Sequence, residues 1–278
     1  MSARPDSGES GGYLRRLSAV ALTSVTQLVR SPSEAHRSEA VRRLARQSLL
    51  TAVIGATSVV MLMIWFDAWE IALMPPRGTA SLWPARILTD FGKDSYVLLV
   101  LGAMFIAALL IAPAAHEPLR HRLMDLLLRL QFLIFAVAVP LVPGELVKWA
   151  AGRGRPFLGG QANPFNFRPF AQTEAYASFP SAHSITAFAL AFAIAAAWPR
   201  ARGVMIAYAL LIAATRLVLL AHHPSDVVAG AVIGIIGAMG VRCWFAARGL
   251  GFAIGEGGGI YWVAQRPLKG VAAGARAP

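Results

Sequence analysis

Six stretches of this 278-residue chain are almost continuously apolar: residues 48–66, 96–112, 123–142, 184–198, 203–221 and 227–247. A bilayer core of about 30 Å takes roughly 20 apolar residues per helix, so each run is a candidate membrane span. Backbone inside hydrocarbon must satisfy its own hydrogen bonds, which leaves helices or a closed barrel. Ala and Leu dominate the runs, and short alternating stretches do not occur. That composition suits helices and not a barrel. The fold expected is all-α, a polytopic membrane protein with six transmembrane helices in a bundle. The fourth run is short and is expected to gain a turn at its N-terminal side. Residues 1–47 are read as a basic cytoplasmic N-terminal tail, 48–247 as the six-span domain and 248–278 as a cytoplasmic C-terminal tail.

Charge has to be read together with hydropathy. The net charge is +12 and the sequence pI about 11.1, values that alone suggest a nucleic-acid partner. Yet only 14% of residues are charged and 56% are hydrophobic. Soluble domains are about 25% charged, so this chain cannot cover an ordinary water-facing surface. Disorder of the whole chain and nucleic-acid binding are both set aside. With the N-terminus inside, the inner segments hold 17 of the 26 Lys and Arg residues, the outer segments hold 8, and Arg129 lies within the third run. The excess on one side orients the chain with both termini in the cytoplasm. Trp65, Trp149, Trp198 and Trp244 fall at run ends, where an interfacial aromatic belt would sit. Apolar residues become continuous only at Leu49, so no secretory signal is expected. Residues 1–12 read as disordered. Residues 13–46 fit either an amphipathic helix lying on the membrane or a loosely ordered basic tail. Cys243 is the sole cysteine, which excludes an intrachain disulfide.

Three polar clusters stand near the predicted outer ends of the spans. The first is Lys148-Trp-Ala-Ala-Gly-Arg153-Gly-Arg155-Pro156. Its glycines and Pro156 end the preceding helix before Arg155 and gather several cations within short reach. The second, Pro180-Ser181-Ala182-His183, opens the fourth span. Free N–H groups and the dipole make such a helix start an anion site, and His183 exchanges a proton near neutral pH. The third runs from Thr215-Arg216 through His222-His223-Pro224 to Asp226. Six residues on one helix would separate Arg216 from His222 by about 240°, so the fifth span must end between them for both to serve one site. Pro224 suits the first turn of the next helix. Asp226 then reaches back to orient an imidazole, and the residues alone leave either His222 or His223 eligible. Each cluster in isolation also fits ordinary capping and interfacial polarity. Together they aim cations and a His–Asp pair at one anion, which fits phosphoryl transfer through a histidine nucleophile. No carboxylate cluster or Cys/His set offers a metal cage, so no metal or other cofactor is expected.

These motifs resemble the type 2 phosphatidic acid phosphatase family, membrane lipid phosphatases that share their site with soluble vanadium haloperoxidases. The family pattern is K-x(six)-R-P, P-S-G-H and S-R-x(five)-H-x(three)-D. All spacings match, with Ala182 in place of Gly and Thr215 in place of Ser. The resemblance covers about 48–247. It implies that His222 attacks phosphorus, Asp226 orients and stabilises His222, and His183 protonates the leaving group and then activates water. It further implies that Lys148, Arg155, Ser181, Ala182 and Arg216 hold the phosphoryl oxygens. The implied partners are a lipid phosphate and membrane lipids, and the implied place is a bacterial inner membrane with the site at its outer face. Phosphatidate-type monoesters lead, and a prenyl diphosphate is the alternative. Phosphatidylglycerophosphate and lipid A phosphates also fit. A haloperoxidase is disfavoured by the spans. A transporter or inactive scaffold is disfavoured because Asp125 and Arg129, at i and i+4, are the one polar pair within a run and read as structural. Residues 157–177, including Asn163, Asn166 and Arg168, are expected to influence the headgroup chosen. Glu145 either pairs with Lys148 or touches a headgroup.

Overall fold

The computed structural model describes residues 7–32, 37–158, 163–171, 173–255 and 258–263. The outermost parts of both predicted tails, 1–6 and 264–278, lie outside the described residues. The chain order is α1 (Ser7–Thr26), α2 (Arg37–Trp65), α3 (Asp67–Leu73), α4 (Trp83–Asp90), α5 (Asp94–Ile111) and α6 (Glu117–Ala151). Then follow α7 (Ala182–Ala197), α8 (Arg202–Val218), α9 (Pro224–Ala247) and a hairpin of β1 (Phe252–Ile254) and β2 (Ile260–Trp262).

Among the described residues, five helices are long and apolar enough to cross a membrane: Ser38–Trp65, Asp94–Ile111, Glu117–Ala151, Pro199–Val218 and Pro224–Ala247. The fourth apolar run forms the shorter α7, of 16 residues. It starts two residues before the predicted boundary, and at 1.5 Å per residue it spans about 24 Å, less than a full bilayer core. The protein is an all-α multi-pass membrane protein. α2, α5 and α8 expose Val53, Ile54, Leu99, Val100, Val204 and Leu210, the apolar rows that hydrocarbon would cover. α9 packs against α2, α6 and α7, and α7 also packs against α8. Small residues at the contacts permit the close approach. Ala136 on α6, Ala189 and Ala193 on α7, and Ala238 on α9 are fully buried in one cluster with Phe132 and Phe245.

One sequence expectation changes at the N-terminus. Residues 7–12 are helical, not disordered, because α1 has a partner to dock on. Val20 is buried against Ala108, Ala112 and Leu127, and the Tyr13 hydroxyl donates to the Leu110 carbonyl at 2.8 Å. The buried Gln131 of α6 donates to the Ser24 carbonyl at 2.7 Å, which ties the end of α1 to the bundle. Past Gly249, Leu250 and Phe252 enter the main core, with the Phe252 ring 4.8 Å from Phe132. Asp125 and Arg129 form the expected i, i+4 pair at 2.7 Å, and Arg129 also donates to the Ala197 carbonyl. Together these contacts leave one end of the bundle for the polar clusters: the C-terminal ends of α2, α6 and α8 and the starts of α7 and α9.

Candidate active site

Each polar cluster sits where a helix ends or begins. α6 stops at Ala151, and Gly152 caps it in the left-handed conformation, φ 55° and ψ 47°. A side chain there would run into the Arg168 carbonyl. Glycine meets both demands. The chain then runs beside residues 166–168, with Arg153 bridged to Phe167. This turns Arg153 inward until it is fully buried. Its guanidinium donates to Asp226 Oδ1 (2.5 Å), Ser225 Oγ (2.6 Å), Asp67 Oδ2 (2.8 Å) and, twice, to the Pro164 carbonyl. Two residues later, Arg155 donates from Nη2 to Glu174 Oε2 and from Nε to the Glu174 carbonyl, both at 2.9 Å.

Ser181 is the N-cap of α7, and its hydroxyl accepts from the Ser184 amide at 3.4 Å. Its own amide donates to the Asp226 carbonyl at 3.1 Å. The second and third clusters are therefore joined through main chain. Gly230 makes this possible, since a Cβ there would lie 2.5 Å from the Ser181 carbonyl. Ala182 and His183 follow in the first turn, both partly exposed. The Ala182 and His183 amides are among the helix-start donors without intrahelical partners.

α8 ends at Val218, so Arg216 and His222 are not on one helix, as the spacing demanded. The reversal places Leu220 at φ 48° and returns the Ala221 amide to the Arg216 carbonyl at 3.0 Å. Arg216 is buried and donates to Thr89 Oγ1 at 2.6 Å, while its Nε has no hydrogen-bond partner among the described residues. Pro224 begins α9 with His223 as N-cap. Asp226 Oδ2 accepts from the His223 amide (2.8 Å) and the Ser178 hydroxyl (2.6 Å).

The imidazole that faces Asp226 is held differently from the sequence reading. His222 Nδ1 lies 2.7 Å from the Ser178 carbonyl and 3.8 Å from Asp226 Oδ2. A carbonyl only accepts, so Nδ1 carries the hydrogen and Nε2 keeps its lone pair. Asp226 acts on the ring at ion-pair distance, and the direct orienting bond comes from main chain. His223 is also buried, but its Nε2 points to the Gly154 carbonyl at 3.3 Å. Burial pushes the His222 imidazole down to about 4; Arg216 and Arg155 push the same way, against the opposing pull of Asp226. Burial also lowers His223.

The structure brings together Arg155, Ser181, Ala182, His183, Arg216, His222 and Asp226. His183 lies within electrostatic reach of Arg216, His222, Arg155 and Lys93. Arg155, Arg216 and Ala221 line one cavity of about 330 Å³. Lys148 is not in it. Its ammonium is paired with Glu145 and lines a neighbouring cavity with Thr173 and Tyr176. Sequence reasoning missed Asp67, Ser178 and Ser225, and it counted Arg153 only as one cation in a basic loop. Asp67 was findable in part, as an acid directly after an apolar run; nothing in the sequence linked it to an arginine 86 residues away.

Residues 129–250 match the PAP2 superfamily. A lipid A 1-phosphatase of Rhizobium johnstonii is 31% identical over 208 residues, covering 74% of this chain and 84% of that protein. The chain belongs to the PAP2 superfamily. A lipid A 1-phosphatase of Rhizobium etli is 32% identical over 193 residues, covering 68% of this chain and 80% of that protein. No solved structure matches. The matched PAP2 region holds all three motif clusters. Asp67 and Thr89, which bind Arg153 and Arg216, come from the chain before it.

Proposed function

We propose that this PAP2-superfamily protein is a membrane lipid phosphatase that removes the 1-phosphate of lipid A or of a similar sugar-linked lipid. The observation that carries the reading is His222, a buried imidazole whose Nδ1–H is held by the Ser178 carbonyl. Its Nε2 lone pair is thereby fixed and, with the ring depressed to about 4, unprotonated at neutral pH. Nε2 attacks phosphorus, the N–P bond forms and the ester P–O bond breaks. Burial, then Arg216, push His183 down to about 3; the negative charge of the bound phosphate opposes both, and the ring so protonated gives its proton to the departing oxygen. The Asp226 carboxylate, 3.8 Å away, stabilises the positive charge that develops on His222. Water, deprotonated by His183, then attacks the phosphohistidine and releases phosphate. Arg155, Arg216, Ser181 and the Ala182 amide hold the phosphoryl oxygens, where charge stabilisation has most effect. Lys148 joins them only by leaving Glu145.

The lipid A headgroup is supported by the two rhizobial relatives. The inner membrane, cytoplasmic termini and an outward-facing site are supported by the concentration of 17 basic residues on the opposite side. The test is phosphate release by purified protein from lipid A 1-phosphate, phosphatidate and a prenyl diphosphate. Lipid A 1-phosphate is expected to be turned over best. His222→Ala should lower turnover at least about a hundredfold, while His223→Ala retains most of it. Folded protein inactive on all three lipids would refute the reading, and the reverse ranking of the two variants would move the nucleophile to His223.

A further inference from the structure

The cavity lined by Arg155, Arg216 and Ala221, the residue before His222, carries more positive charge than one phosphate needs. Besides Arg155 and Arg216 it is lined by Arg77 and Arg86, and among the described residues no acidic side chain lines it. Arg77 lies in the connection between α3 and α4, and Arg86 lies on α4. Both precede the matched PAP2 region. Arg77 is held in place by Phe157, whose ring centroid lies 3.7 Å from its Cζ. Arg86 Nη2 reaches the Thr79 carbonyl at 3.5 Å, the limit of a hydrogen bond. Among the described residues, Arg77, Arg86 and Arg216 form no ion pair within 4.0 Å, while Arg155 is offset by Glu174.

Among the described residues, Arg77 and Arg86 are therefore left without an acidic partner, while Asp90 acts on Arg216 from beyond ion-pair distance. Four guanidiniums line the cavity, against about −1.5 to −2 brought by a phosphate monoester at neutral pH; with Arg155 answered by Glu174 and Arg216 under the pull of Asp90, Arg77 and Arg86 are the pair that stays unanswered. Like charges are costly to gather around one cavity unless an anion answers them. We propose that Arg77 and Arg86 form a second anion subsite beside the scissile phosphate, filled by a further acidic group of the substrate headgroup. The inference rests on the lipid phosphatase reading for the identity of the first anion. The acidic group is either joined to the scissile phosphate or carried elsewhere on the headgroup, and the two probe pairs below separate these sources.

The experiment measures binding to the full chain in detergent micelles, with His222→Ala present so that no probe is consumed. Inorganic pyrophosphate is compared with orthophosphate, and glucose 1,6-bisphosphate with glucose 1-phosphate. At least one doubly anionic probe should bind about tenfold more tightly than its singly phosphorylated partner. Adding Arg77→Gln or Arg86→Gln should bring that ratio to within about twofold. Both residues are exposed, so neither variant threatens the fold. Equal binding within both pairs, or a preference that survives both variants, would overturn the subsite. Lipid turnover by the parent protein without the preference refutes the subsite alone, and the preference without lipid turnover refutes the phosphatase reading alone.

Discussion

Replacing Arg153 by Met keeps most of the side-chain volume and removes one charge from the centre of the site. The guanidinium makes five hydrogen bonds, and both carboxylates it joins, Asp67 and Asp226, are fully buried. The substitution leaves two buried carboxylates facing each other across a site that has lost its cation. Removing one partner of a buried ion pair costs about 3–5 kcal/mol. That is a large share of the roughly 5–15 kcal/mol that stabilises a typical fold. At about 2–4 °C per kcal/mol for a chain of this size, the thermal midpoint should fall by roughly 6–20 °C. The assay is thermal unfolding in detergent at pH 7, followed by circular dichroism. Arg153→Lys should not restore stability, because one ammonium cannot reproduce a planar fork that reaches two carboxylates. Asp67→Asn in the Arg153→Met background should recover part of the loss, with a coupling of about 0.5–3 kcal/mol. A midpoint shift under about 3 °C, or strictly additive single and double variants, would refute the claim that Arg153 neutralises this pair.

Three further outcomes follow from the same geometry. The depressed His222 ring stays neutral as pH falls from 6.5 until about 4, so its imidazole should titrate near 4 when followed by NMR; titration at 6.5 would contradict the buried-imidazole account. Its contribution to stability has the matching sign, complete above pH 6.5 and lost as pH falls from 6.5 toward 4. Gly230→Val puts a side chain where a Cβ would already lie 2.5 Å from the Ser181 carbonyl; it should cost about 1–3 kcal/mol by overpacking and raise KM, measured by unfolding and steady-state kinetics. The Glu70 carboxyl is buried, has no hydrogen-bond partner among the described residues, and is pushed up to about 7, first by burial and then by Asp67. Its ionisation opposes folding as pH rises from 4.5 through 7, so Glu70→Gln should raise the thermal midpoint more at pH 8 than at pH 5.

Hydrophobic run length made the membrane class and the approximate helix positions legible in the sequence, because water-free surroundings leave so few backbone solutions. Motif spacing also foretold local breaks. Gly152 ends α6 before Arg155, α8 stops between Arg216 and His222, and Pro224 opens α9. Each of these depends on residues a few positions apart. What depended on distant partners was not legible. The helix over residues 7–26 exists because α5 and α6 give Val20 and Ser24 something to pack on, and no local pattern records that. Arg153 and Arg155 are two residues apart in the same basic stretch. Tertiary structure buries one between Asp67 and Asp226 and leaves the other lining the cavity beside Arg216. Asp226 was expected to reach back and orient an imidazole. Folding instead spends its oxygens on Arg153, Ser178 and the His223 amide, and gives His222 the Ser178 carbonyl. The order of residues along the chain sets which residue types stand at which helix ends. Only the packed bundle decided which of them meet, because a buried charge goes to whichever partner reaches it with the best geometry, and that partner is set by packing and not by spacing.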